Sequence, residues 1–316
     1  MNAIDTLITL ADVRGSLDLR CQFQGDWALD HDQEADGTAP YHIVLAGQCR
    51  VELPDGRRIK LVAGDILVLP AGTRHLLLST GERVTPSRPQ RVNGGLLPVQ
   101  RFGNGADLDL LCGRFVHQRQ SLLFSSLPDH LVISSQALTP SDPLPALVAL
   151  LRSEADANQA GARFMVNALT SALFTLVLRA HLQQSPQREG SLALLGDKRL
   201  GRAWQAMLED PAHDWTVEAL AELASMSRAT FMRTFGKLSG SSPWTLLTHV
   251  RMQMAYGLLS RSQSGLSDIA AQVGYQSQAA FSKVFKDTYG MAPGQLRRSL
   301  NGNAPELPGS APASTV

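Results

Sequence analysis

Two stretches in the last third of the chain share one pattern of residues, and this repeat constrains the fold more than any other feature. The first copy runs from Val217 to Phe235 and the second from Leu266 to Phe285. The aligned pairs are Leu220 with Ile269, Ala221 with Ala270, Ser227 with Ser277, Phe231 with Phe281 and Phe235 with Phe285. Phenylalanines four positions apart predict one buried helix face, and a serine just before them predicts an N-cap. Each copy therefore predicts a helix, a tight turn and a second helix, with one extra residue in the second turn.

The segment between the copies, Pro243–Arg261, has the pattern of one long helix. Its apolar positions are Leu246, Leu247, Val250, Met254, Leu258 and Leu259. A glycine ends each copy, at Gly240 and Gly290, and a proline follows three residues later in both cases. These are helix stop and start signals. We expect the long helix to hold the two units in a fixed relation, with Leu220 and Leu223 pointing into the core of the first unit.

The outer face of each second helix is predicted to carry polar, basic and small residues. These are Arg228, Ala229, Met232, Arg233 and Lys237 in the first copy, and Gln278, Ala279, Ser282, Lys283 and Lys286 in the second. A helix fits the major groove, where arginine or lysine donates to guanine and glutamine pairs with adenine. Lys237 and Lys286 lie farther along and are expected to contact phosphate. The repeat therefore predicts a protein that contacts two successive major-groove segments of double-stranded DNA.

The charge distribution agrees with that partner. The net charge is only +1, but the segment from Asp197 to Arg298 carries twelve basic and eight acidic side chains. A local excess of positive charge favours contact with phosphate. The first residues lack the features of a signal peptide, and no stretch is expected to reach the roughly 20 apolar residues of a membrane span. We therefore expect a cytoplasmic location, no membrane partner and three cysteines that begin as reduced thiols.

The first half of the chain is predicted to be rich in strands. Short apolar runs separated by turn signals lie at Tyr41–Ala46, Gln48–Leu53, Arg58–Val62, Asp65–Leu69, Leu76–Ser79 and Leu108–Val116. The Pro54-Asp-Gly56 turn between two of these runs indicates a hairpin. Many short strands in succession predict a small β-sandwich or barrel. The segment Glu82–Gly105, which is rich in proline, glycine and asparagine, is expected to be a long loop between strands.

A helical period begins near residue 143, which completes an α+β, two-domain prediction. Phe164, Ala168, Leu169, Ala172, Leu173, Leu176, Val177 and Ala180 form an apolar stripe that either packs on its own domain or forms a homodimer interface. The expected domains are a sensor at 1–185, which includes a helical dimerisation segment at about 143–184, then a linker at 186–196. An all-α DNA-binding domain follows at 197–298, and a disordered tail at 299–316.

The repeat region resembles the AraC/XylS family of transcriptional regulators. The matching residues are Arg251-Met252, Ala255, Leu258, Ile269-Ala270, Gly274-Tyr275, Phe281, Phe285, Gly290 and Ala292-Pro293. The resemblance covers about Asp197–Arg298. It implies a seven-helix domain with two helix-turn-helix motifs that binds DNA as a monomer or dimer. It also implies contact with RNA polymerase, most often as an activator, and no enzymatic activity.

The first half resembles the cupin β-barrel. Gly64-Asp-Ile-Leu-Val-Leu-Pro70-Ala-Gly72-Thr-Arg-His75 looks like the second cupin motif, and His42 occupies the place of the first. Metal-binding cupins usually carry two histidines and a glutamate in that first motif, and only His42 is present here. A reduced zinc site of His42, His75 and Cys112 is therefore one hypothesis. The other is that the histidines are hydrogen-bonded residues of the barrel and that the protein has no cofactor.

One subgroup of AraC-type regulators, which responds to reactive chlorine, resembles the chain along nearly its full length. The shared features are Cys21, then Leu110-Leu-Cys112-Gly113-Arg-Phe115, then Leu127-Pro128. The resemblance implies a thiol switch at Cys21 and Cys112. Arg20 and Arg114 are expected to lower the pKa of the neighbouring thiols. Cys49 is expected to be a small core residue.

Three other interpretations of the sensor half remain. The barrel could bind a small-molecule or metal effector, as in sugar-responsive relatives, through its apolar lining. It could instead be an isomerase or dioxygenase fused to a regulator, although the missing first-motif ligands disfavour this. Finally, it could be a dimerising module without a sensing role.

Overall fold

The computed structural model describes residues 2–81, 90–157, 159–184 and 190–302, which form two compact units. The N-terminal unit consists mainly of Leu7–Gly196, and the C-terminal unit consists mainly of the chain from Asp197 onward. The first contains all of the strands that the structure describes, and the second is built from helices. The predicted two-domain α+β fold class is confirmed.

The N-terminal unit contains two sheets. The strands are β1 (Arg14–Phe23), β2 (Ala28–His31), β3 (Thr38–Ala46), β4 (Gln48–Glu52), β5 (Arg58–Val62), β6 (Ile66–Val68), β7 (His75–Leu78), β8 (Gln90–Gly94), β9 (Leu97–Phe102), β10 (Leu108–Val116) and β11 (Leu131–Ile133). One sheet has the order β11-β6-β3-β10-β1-β9-β8, and the other has the order β2-β7-β4-β5. Neighbouring strands are antiparallel except β1 and β9, which are parallel.

The two sheets enclose a core to which both contribute. Phe23, Val44, Leu67, Leu108 and Leu110 come from the larger sheet and meet Val51, Leu61 and Leu77 from the smaller one. Side chains alternate between the faces of a strand. On β3, therefore, His42 and Val44 point into this core, whereas Tyr41 stacks on Phe115 at the opposite face of the sheet, with ring centroids 4.5 Å apart. The interior of the barrel is where the histidine and cysteine side chains converge.

The predicted strands agree closely with the structure, but the predicted loop at Glu82–Gly105 does not. Residues 90–94 and 97–102 form a hairpin, β8–β9, whose turn is at Gly95 with a φ of +63°. The cluster of asparagine and glycines at positions 93–95 marks this tight turn rather than an irregular segment. The part of the expected loop at 82–89 lies outside the described residues.

Five helices accompany the sheets: α1 (Ala3–Ala11), α2 (Leu122–Ser125), α3 (Leu144–Ala157), α4 (Ala162–Gln184) and α5 (Gly190–Gly196). A short 3-10 turn lies at Ser135–Ala137. Helix α4 packs on β1, and Phe174 stacks on Phe124 and meets Phe115 edge-on. The side of α4 that carries Phe174 therefore packs against the larger sheet.

The apolar stripe expected along α4 is split by the packing. Leu173, Val177 and Ala180 are buried in the N-terminal unit, whereas Phe164 is 82% exposed and Ala168 and Ala172 are also exposed. By length and composition alone, α4 is a helix that could cross a membrane, although 44% of its most apolar window is buried in the fold. The expectation that no stretch approaches a membrane span was therefore too strong.

Part of the predicted linker is structured. Residues 190–196 form α5, and the Ser191 amide donates to Ser126 Oγ at 3.0 Å in the N-terminal unit. Leu192 and Leu194 of this helix are buried. The boundary predicted from Pro186 and Gly190 therefore ends the N-terminal unit too early. The apolar helix α5 follows the polar segment, and the N-terminal unit extends to Gly196. Residues 185–189 are outside the described part of the chain.

The C-terminal unit contains seven helices between residues 200 and 302, the number that the family resemblance implied. They are α6 (Leu200–Glu209), α7 (Val217–Leu223), α8 (Arg228–Ser239), α9 (Pro243–Arg261), α10 (Leu266–Gln272), α11 (Gln278–Tyr289) and α12 (Pro293–Gly302). Helices α7–α8 and α10–α11 are the two predicted helix-turn-helix units. Of the predicted tail, 299–302 belongs to α12, and 303–316 lies outside the described residues.

The two units close their turns with the same backbone geometry but different residues. Ser225 in the first turn has a φ of +52°, and Gly274 in the second has a φ of +81°. The left-handed region costs little for glycine and more for serine. The N-cap serines are as predicted: Ser227 Oγ accepts from the Thr230 amide, and Ser277 Oγ accepts from the Ala280 amide at 3.1 Å.

One expected core residue of the first unit is misplaced. Leu220 is fully buried as predicted, but Leu223 is 38% exposed. The inward residues are Leu220 and Ala221 of α7 and its C-cap residue Ala224, so the buried face follows i, i+1, i+4 spacing and does not include Leu223.

Helix α9 joins the units, and Arg251 on it explains several of the family-matching residues. Its guanidinium donates to the carbonyl oxygens of Pro211 at 2.7 Å and His213 at 3.0 Å, and it lies over the Tyr275 ring. A Cβ at Gly274 would sit 2.8 Å from the Ala212 carbonyl oxygen. Arg251 therefore fixes the loop before α7 against the turn of the second unit.

Candidate functional site

The first candidate site is the outer face of α8 and α11. Phe231, Phe235, Phe281 and Phe285 are fully buried, which fixes how each helix is rotated. Of the ten predicted DNA-contacting residues, Met232 and Ser282 are half-buried and the other eight are exposed. The packing thus leaves Arg233 on α8 and Lys283 on α11 at equivalent places in the two copies.

Arg228 is engaged in a contact that the sequence pattern did not reveal. Its guanidinium forms an ion pair with Glu218 on α7, and this hydrogen bond lowers the pKa of the Glu218 carboxyl. Both side chains are largely exposed, so the pair contributes little to stability. It does orient Arg228 toward the first helix of its own unit.

The second candidate site is inside the barrel, where strand pairing brings histidine and cysteine side chains together. The β3–β10 register places His42 opposite Cys112, and the β2–β7 register places His31 opposite His75. The two pairs belong to different sheets and meet in the middle. His42 Nε2 lies 2.7 Å from His75 Nε2, and the His31 ring stacks on His75 with centroids 4.6 Å apart.

The hydrogen bonds assign the tautomers along this cluster. His75 Nδ1 lies 2.9 Å from the Thr73 carbonyl oxygen, which can only accept, so this nitrogen carries the hydrogen. His75 Nε2 is then an acceptor, and His42 Nε2 must donate to it. His42 Nδ1 accepts in turn from the Cys112 thiol at 3.2 Å. The result is a continuous chain of hydrogen bonds from Cys112 through both histidines to Thr73.

Burial favours the uncharged forms of the Cys112 thiol and of the three imidazole rings. Desolvation lowers the pKa of His42 well below its usual value, and it also lowers the pKa of His75. The pKa of His31 falls to about 4 for the same reason. The pKa of Cys112 is raised well above its usual value by its contact with Cys21 and by burial. The resting state is therefore a neutral thiol beside neutral imidazoles.

Cys21 and Cys112 lie side by side in the barrel. Their Sγ atoms are 3.9 Å apart, and Cys21 also contacts Gln100 Oε1 at 3.9 Å. Both residues are buried. Cys49, on the other sheet, is also buried, and burial raises the pKa of its thiol to about 12, which fits a core residue.

The expected effect of Arg20 and Arg114 on the thiols is not what the structure shows. The Arg20 guanidinium forms two hydrogen bonds with Asp109, at 2.8 and 2.6 Å, and also pairs with Asp156. Arg114 donates to Asp18 at 2.7 Å. Arg20 is the direct neighbour of Cys21 along β1 and therefore points to the opposite face of the sheet, whereas Arg114, two residues from Cys112, has its charge paired with Asp18. Adjacency in sequence was misleading here.

The three residues of the zinc site predicted from the sequence do not come together as expected. Cys112 contacts Nδ1 of His42, whereas His75 contacts Nε2 on the opposite edge of the same ring. His42, His75 and Cys112 therefore do not converge on one point. The residue that does join the two histidines is His31, whose ligand atom lies within 4.8 Å of theirs. No motif marked His31, and only strand pairing places it there.

Comparisons with known proteins agree with both halves of the fold. Residues 2–183 match a cupin family, and residues 220–299 match a helix-turn-helix domain family. A relative in Haemophilus influenzae, described as an uncharacterized HTH-type transcriptional regulator, is 38% identical over 95% of this chain and 100% of its own length. The HTH-type transcriptional regulator MtrA of Neisseria gonorrhoeae is 34% identical over 94% of this chain and 98% of its own.

A third relative matches the subgroup expected from the sequence. The RCS-specific HTH-type transcriptional activator RclR of Escherichia coli is 29% identical over 96% of this chain and 100% of its own length. These alignments span both domains in the same order. The chain belongs to the AraC-type DNA-binding transcriptional regulators that carry an N-terminal cupin domain.

Proposed function

We propose that this regulator senses oxidants through Cys21 and Cys112 and thereby controls transcription from promoters that its C-terminal domain binds. The observation that carries the proposal is the buried thiol pair, with Sγ atoms 3.9 Å apart and an imidazole nitrogen 3.2 Å from one of them. A thiol pair at this distance needs only a small movement to reach a disulfide bond of about 2.05 Å. The similarity to an RCS-specific activator supports an oxidant as the signal.

His42 supplies what the arginines do not. Because the Cys112 thiol is neutral, its reaction with an oxidant requires loss of the proton to a base, and His42 Nδ1 already accepts that hydrogen bond. In the overall reaction, two thiols and one hypochlorous acid give one disulfide, one chloride, one proton and one water. The sulfur atoms lose two electrons, and the chlorine gains them.

The DNA contacts are part of the same proposal. Arg233, Lys283 and Gln278 are assigned to base edges, with Arg228, Ala229, Met232, Ala279 and Ser282 beside them. Lys237 and Lys286 are assigned to phosphates. The exposed residues of α8 and α11 differ, so the two helices are expected to read different bases. Substitution of Arg233 or Lys283 by alanine should relax base preference in one half of the site, and unchanged specificity in both variants would contradict this orientation.

The exposed side of α4 supports a homodimer. Phe164 and Met165 are exposed at the start of the helix, and Ala168 and Ala172 continue the same side. Apolar patches of this kind on a surface are frequent at protein interfaces. We further propose that the protein acts in the cytoplasm, contacts RNA polymerase and activates transcription. We assign no catalytic role to the barrel.

A promoter assay with matched cysteine variants tests the oxidant proposal. Transcription from the target promoter is measured with and without hypochlorous acid in wild type, Cys21→Ser, Cys112→Ser and Cys49→Ser. We expect the first two variants to lose the response and Cys49→Ser, which is equally buried but lies in the other sheet, to keep it. A full response in both Cys21→Ser and Cys112→Ser would refute the thiol switch.

A second candidate function is supported by a groove of about 490 Å³ between the larger sheet and α3. Its lining is mainly apolar and includes Val44, Ile66, Leu144 and Val148, with Arg152 among the polar residues. Pockets of this kind suit a small apolar effector. Thermal stabilisation by such a compound in the Cys21→Ser variant, with promoter activation, would favour this alternative over thiol oxidation.

A further inference from the structure

The repeat in the C-terminal unit extends back to the helix that precedes each helix-turn-helix motif. Arg202 on α6 lies 23 residues before Ser225 and donates to its Oγ at 3.0 Å. Arg251 on α9 precedes Gly274 by the same interval, and its guanidinium carbon would lie 3.0 Å from a Cβ at that glycine. Ser225 and Gly274 are the equivalent residues of the two turns, and both have a positive φ. Each copy is therefore a three-helix unit in which an arginine of the first helix lies against the turn.

Both turns have the backbone hydrogen bonds of a Schellman motif. In this motif the residue with positive φ donates its amide to the carbonyl three residues before it, and the next residue donates to the carbonyl five residues before it. The four bonds are Ser225 to Glu222 at 2.9 Å, Met226 to Ala221 at 2.9 Å, Gly274 to Ala271 at 3.0 Å and Tyr275 to Ala270 at 2.8 Å. Glycine is the usual residue at the positive-φ position, so the first turn departs from the rule and the second follows it.

We propose that Arg202 is a positioning residue for DNA recognition by α8, because its hydrogen bond to Ser225 holds the first turn in the left-handed conformation. This conformation is costly for a residue with a Cβ, which approaches the following carbonyl oxygen. A contact that forms only in this conformation therefore favours it. The inference rests on the proposed contact of α8 with base edges, and it is independent of the thiol switch.

The turn determines where α8 begins. The helix starts at Arg228, and only Met226 and the N-cap residue Ser227 separate it from Ser225. The buried phenylalanines of α8 fix the rotation of the helix about its own axis, whereas the turn fixes the direction of that axis. A binding residue must be held within about 0.5 Å and 10–20° of its productive geometry. A change of φ at Ser225 would therefore move Arg233, in the second turn of α8, away from the base edge that it is proposed to contact.

The second copy shows why the first one uses a side-chain contact. Arg251 donates to two carbonyl oxygens of the loop before α7, and Gly274 adopts its positive φ at little cost. In the first copy the equivalent position holds a serine, and its hydroxyl accepts the hydrogen bond from Arg202. A hydrogen bond from a charged donor is stronger than one between neutral groups. Arg202 and Ser225 therefore act as a pair that replaces the glycine of the second turn.

A direct contact of Arg202 with a DNA phosphate is the alternative, because the side chain is exposed. The two roles differ in their dependence on salt and on residue 225. A phosphate contact contributes roughly 0.9 to the slope of log affinity against log salt concentration, whichever residue occupies position 225. A positioning contact leaves this slope unchanged and requires the hydroxyl of Ser225.

Binding to a duplex that the wild-type protein selects from a random-sequence pool tests the inference. The Kd is measured for full-length wild type, Arg202→Ala, Ser225→Ala, Ser225→Gly and the double variant Arg202→Ala/Ser225→Gly. Arg199→Ala is the matched control, because it removes the same charge from the exposed residue that immediately precedes α6. We expect Arg202→Ala and Ser225→Ala each to weaken binding about 3–10-fold, less than the full value of a charged hydrogen bond because the contact is exposed. Ser225→Gly and the double variant should both bind within about 2-fold of wild type, since glycine adopts the turn without the contact.

Two further measurements distinguish positioning from a contact with phosphate. The salt slope of Arg202→Ala should equal that of wild type. On a duplex whose α8 half, identified as the half in which Arg233→Ala relaxes base preference, is replaced by unrelated sequence, wild type and Arg202→Ala should bind equally.

Several results would overturn the positioning role of Arg202. A lower salt slope, or an equal loss of affinity when Ser225 is glycine, would make Arg202 a phosphate contact. A loss of the same size in Arg199→Ala would reduce the effect to charge, and unchanged affinity in Arg202→Ala would remove it. If Arg233→Ala relaxes neither half, the proposed orientation of α8 is wrong, and the affinities of the Arg202 and Ser225 variants still decide whether the pair acts on DNA binding.

Discussion

Oxidation of the Cys21–Cys112 pair should stabilise the barrel by an amount that the structure bounds. The two residues are 91 positions apart, and a cross-link of this span removes loop entropy from the unfolded chain worth about 4.6 kcal/mol. That figure is an upper limit, because the sulfur atoms must approach from 3.9 Å to about 2.05 Å and the native strands must absorb the movement. The strands that carry the cysteines, Arg14–Phe23 and Leu108–Val116, should show the effect most directly.

Hydrogen–deuterium exchange of peptides from these two strands measures the change. A stabilisation of 4.6 kcal/mol corresponds to about 2,000-fold slower exchange through global unfolding, since each 1.4 kcal/mol is tenfold. We expect the slowest amides to slow by at least ~10-fold and by no more than this limit, because local openings that bypass global unfolding reduce the effect. Peptides from the C-terminal unit and the Cys49→Ser variant serve as references for general damage and for the third thiol.

Two results would refute this reasoning. If mass spectrometry finds the Cys21–Cys112 cross-linked peptide but exchange in both strands is unchanged, the loop-entropy argument is wrong for this fold. If exchange slows equally in a Cys21→Ser, Cys112→Ser double variant, the stabilisation comes from another oxidation product.

The remaining predictions concern the turns, the DNA contacts and pH. Ser225→Gly should stabilise the C-terminal unit by about 0.5–1 kcal/mol, because glycine relieves the positive φ, whereas Gly274→Ser should cost about 2 kcal/mol or more; thermal unfolding of both variants checks the contrast. On α11, Lys283→Ala should cost about 1–3 kcal/mol at one base position, while Lys286→Ala should lower the salt-dependence slope by about 1 without changing preference, as salt-dependent binding titrations would show. Burial lowers the pKa of His117, so below about pH 6.5 the unfolded chain binds a proton that the fold excludes. Stability of the N-terminal unit should therefore fall as pH decreases through that range, and His117→Gln should reduce the fall; equal pH dependence of urea unfolding in both proteins would contradict this.

Local patterns predicted what depends on neighbours in sequence. The phenylalanine pairs at i, i+4 predicted the buried faces of α8 and α11 correctly, because the rotation of a helix follows from its buried face. The N-cap serines and the strands at Arg58–Val62 and Leu108–Val116 could also be predicted from the sequence, since alternation and turn residues are local signals.

Features that depend on the pairing of strands could not be predicted from the sequence. His31 enters the cluster only because β2 lies antiparallel to β7, in a register that no local pattern encodes. Likewise, Arg20 is next to Cys21 in sequence but bonds Asp109 across the sheet, so its charge serves the outer face. The sequence showed that α4 carries an apolar stripe. Which of its residues are buried depends on how the helix packs against β1 and Phe115.

Strand β1 has a mechanical consequence for the N-terminal unit. Near one end it carries Cys21, and near the other Gly15 lies so close to α4 that an added Cβ would be 2.6 Å from Thr170. The Gly15 amide also donates to Ser171 Oγ at 3.2 Å. Strand β1 pairs with β10 from Arg14 to Phe23 and with β9 from Arg20 to Phe23, and its register against β10 shifts between Leu17 and Leu19. One strand therefore connects the thiol pair in the barrel interior with α4, the helix whose other side is exposed.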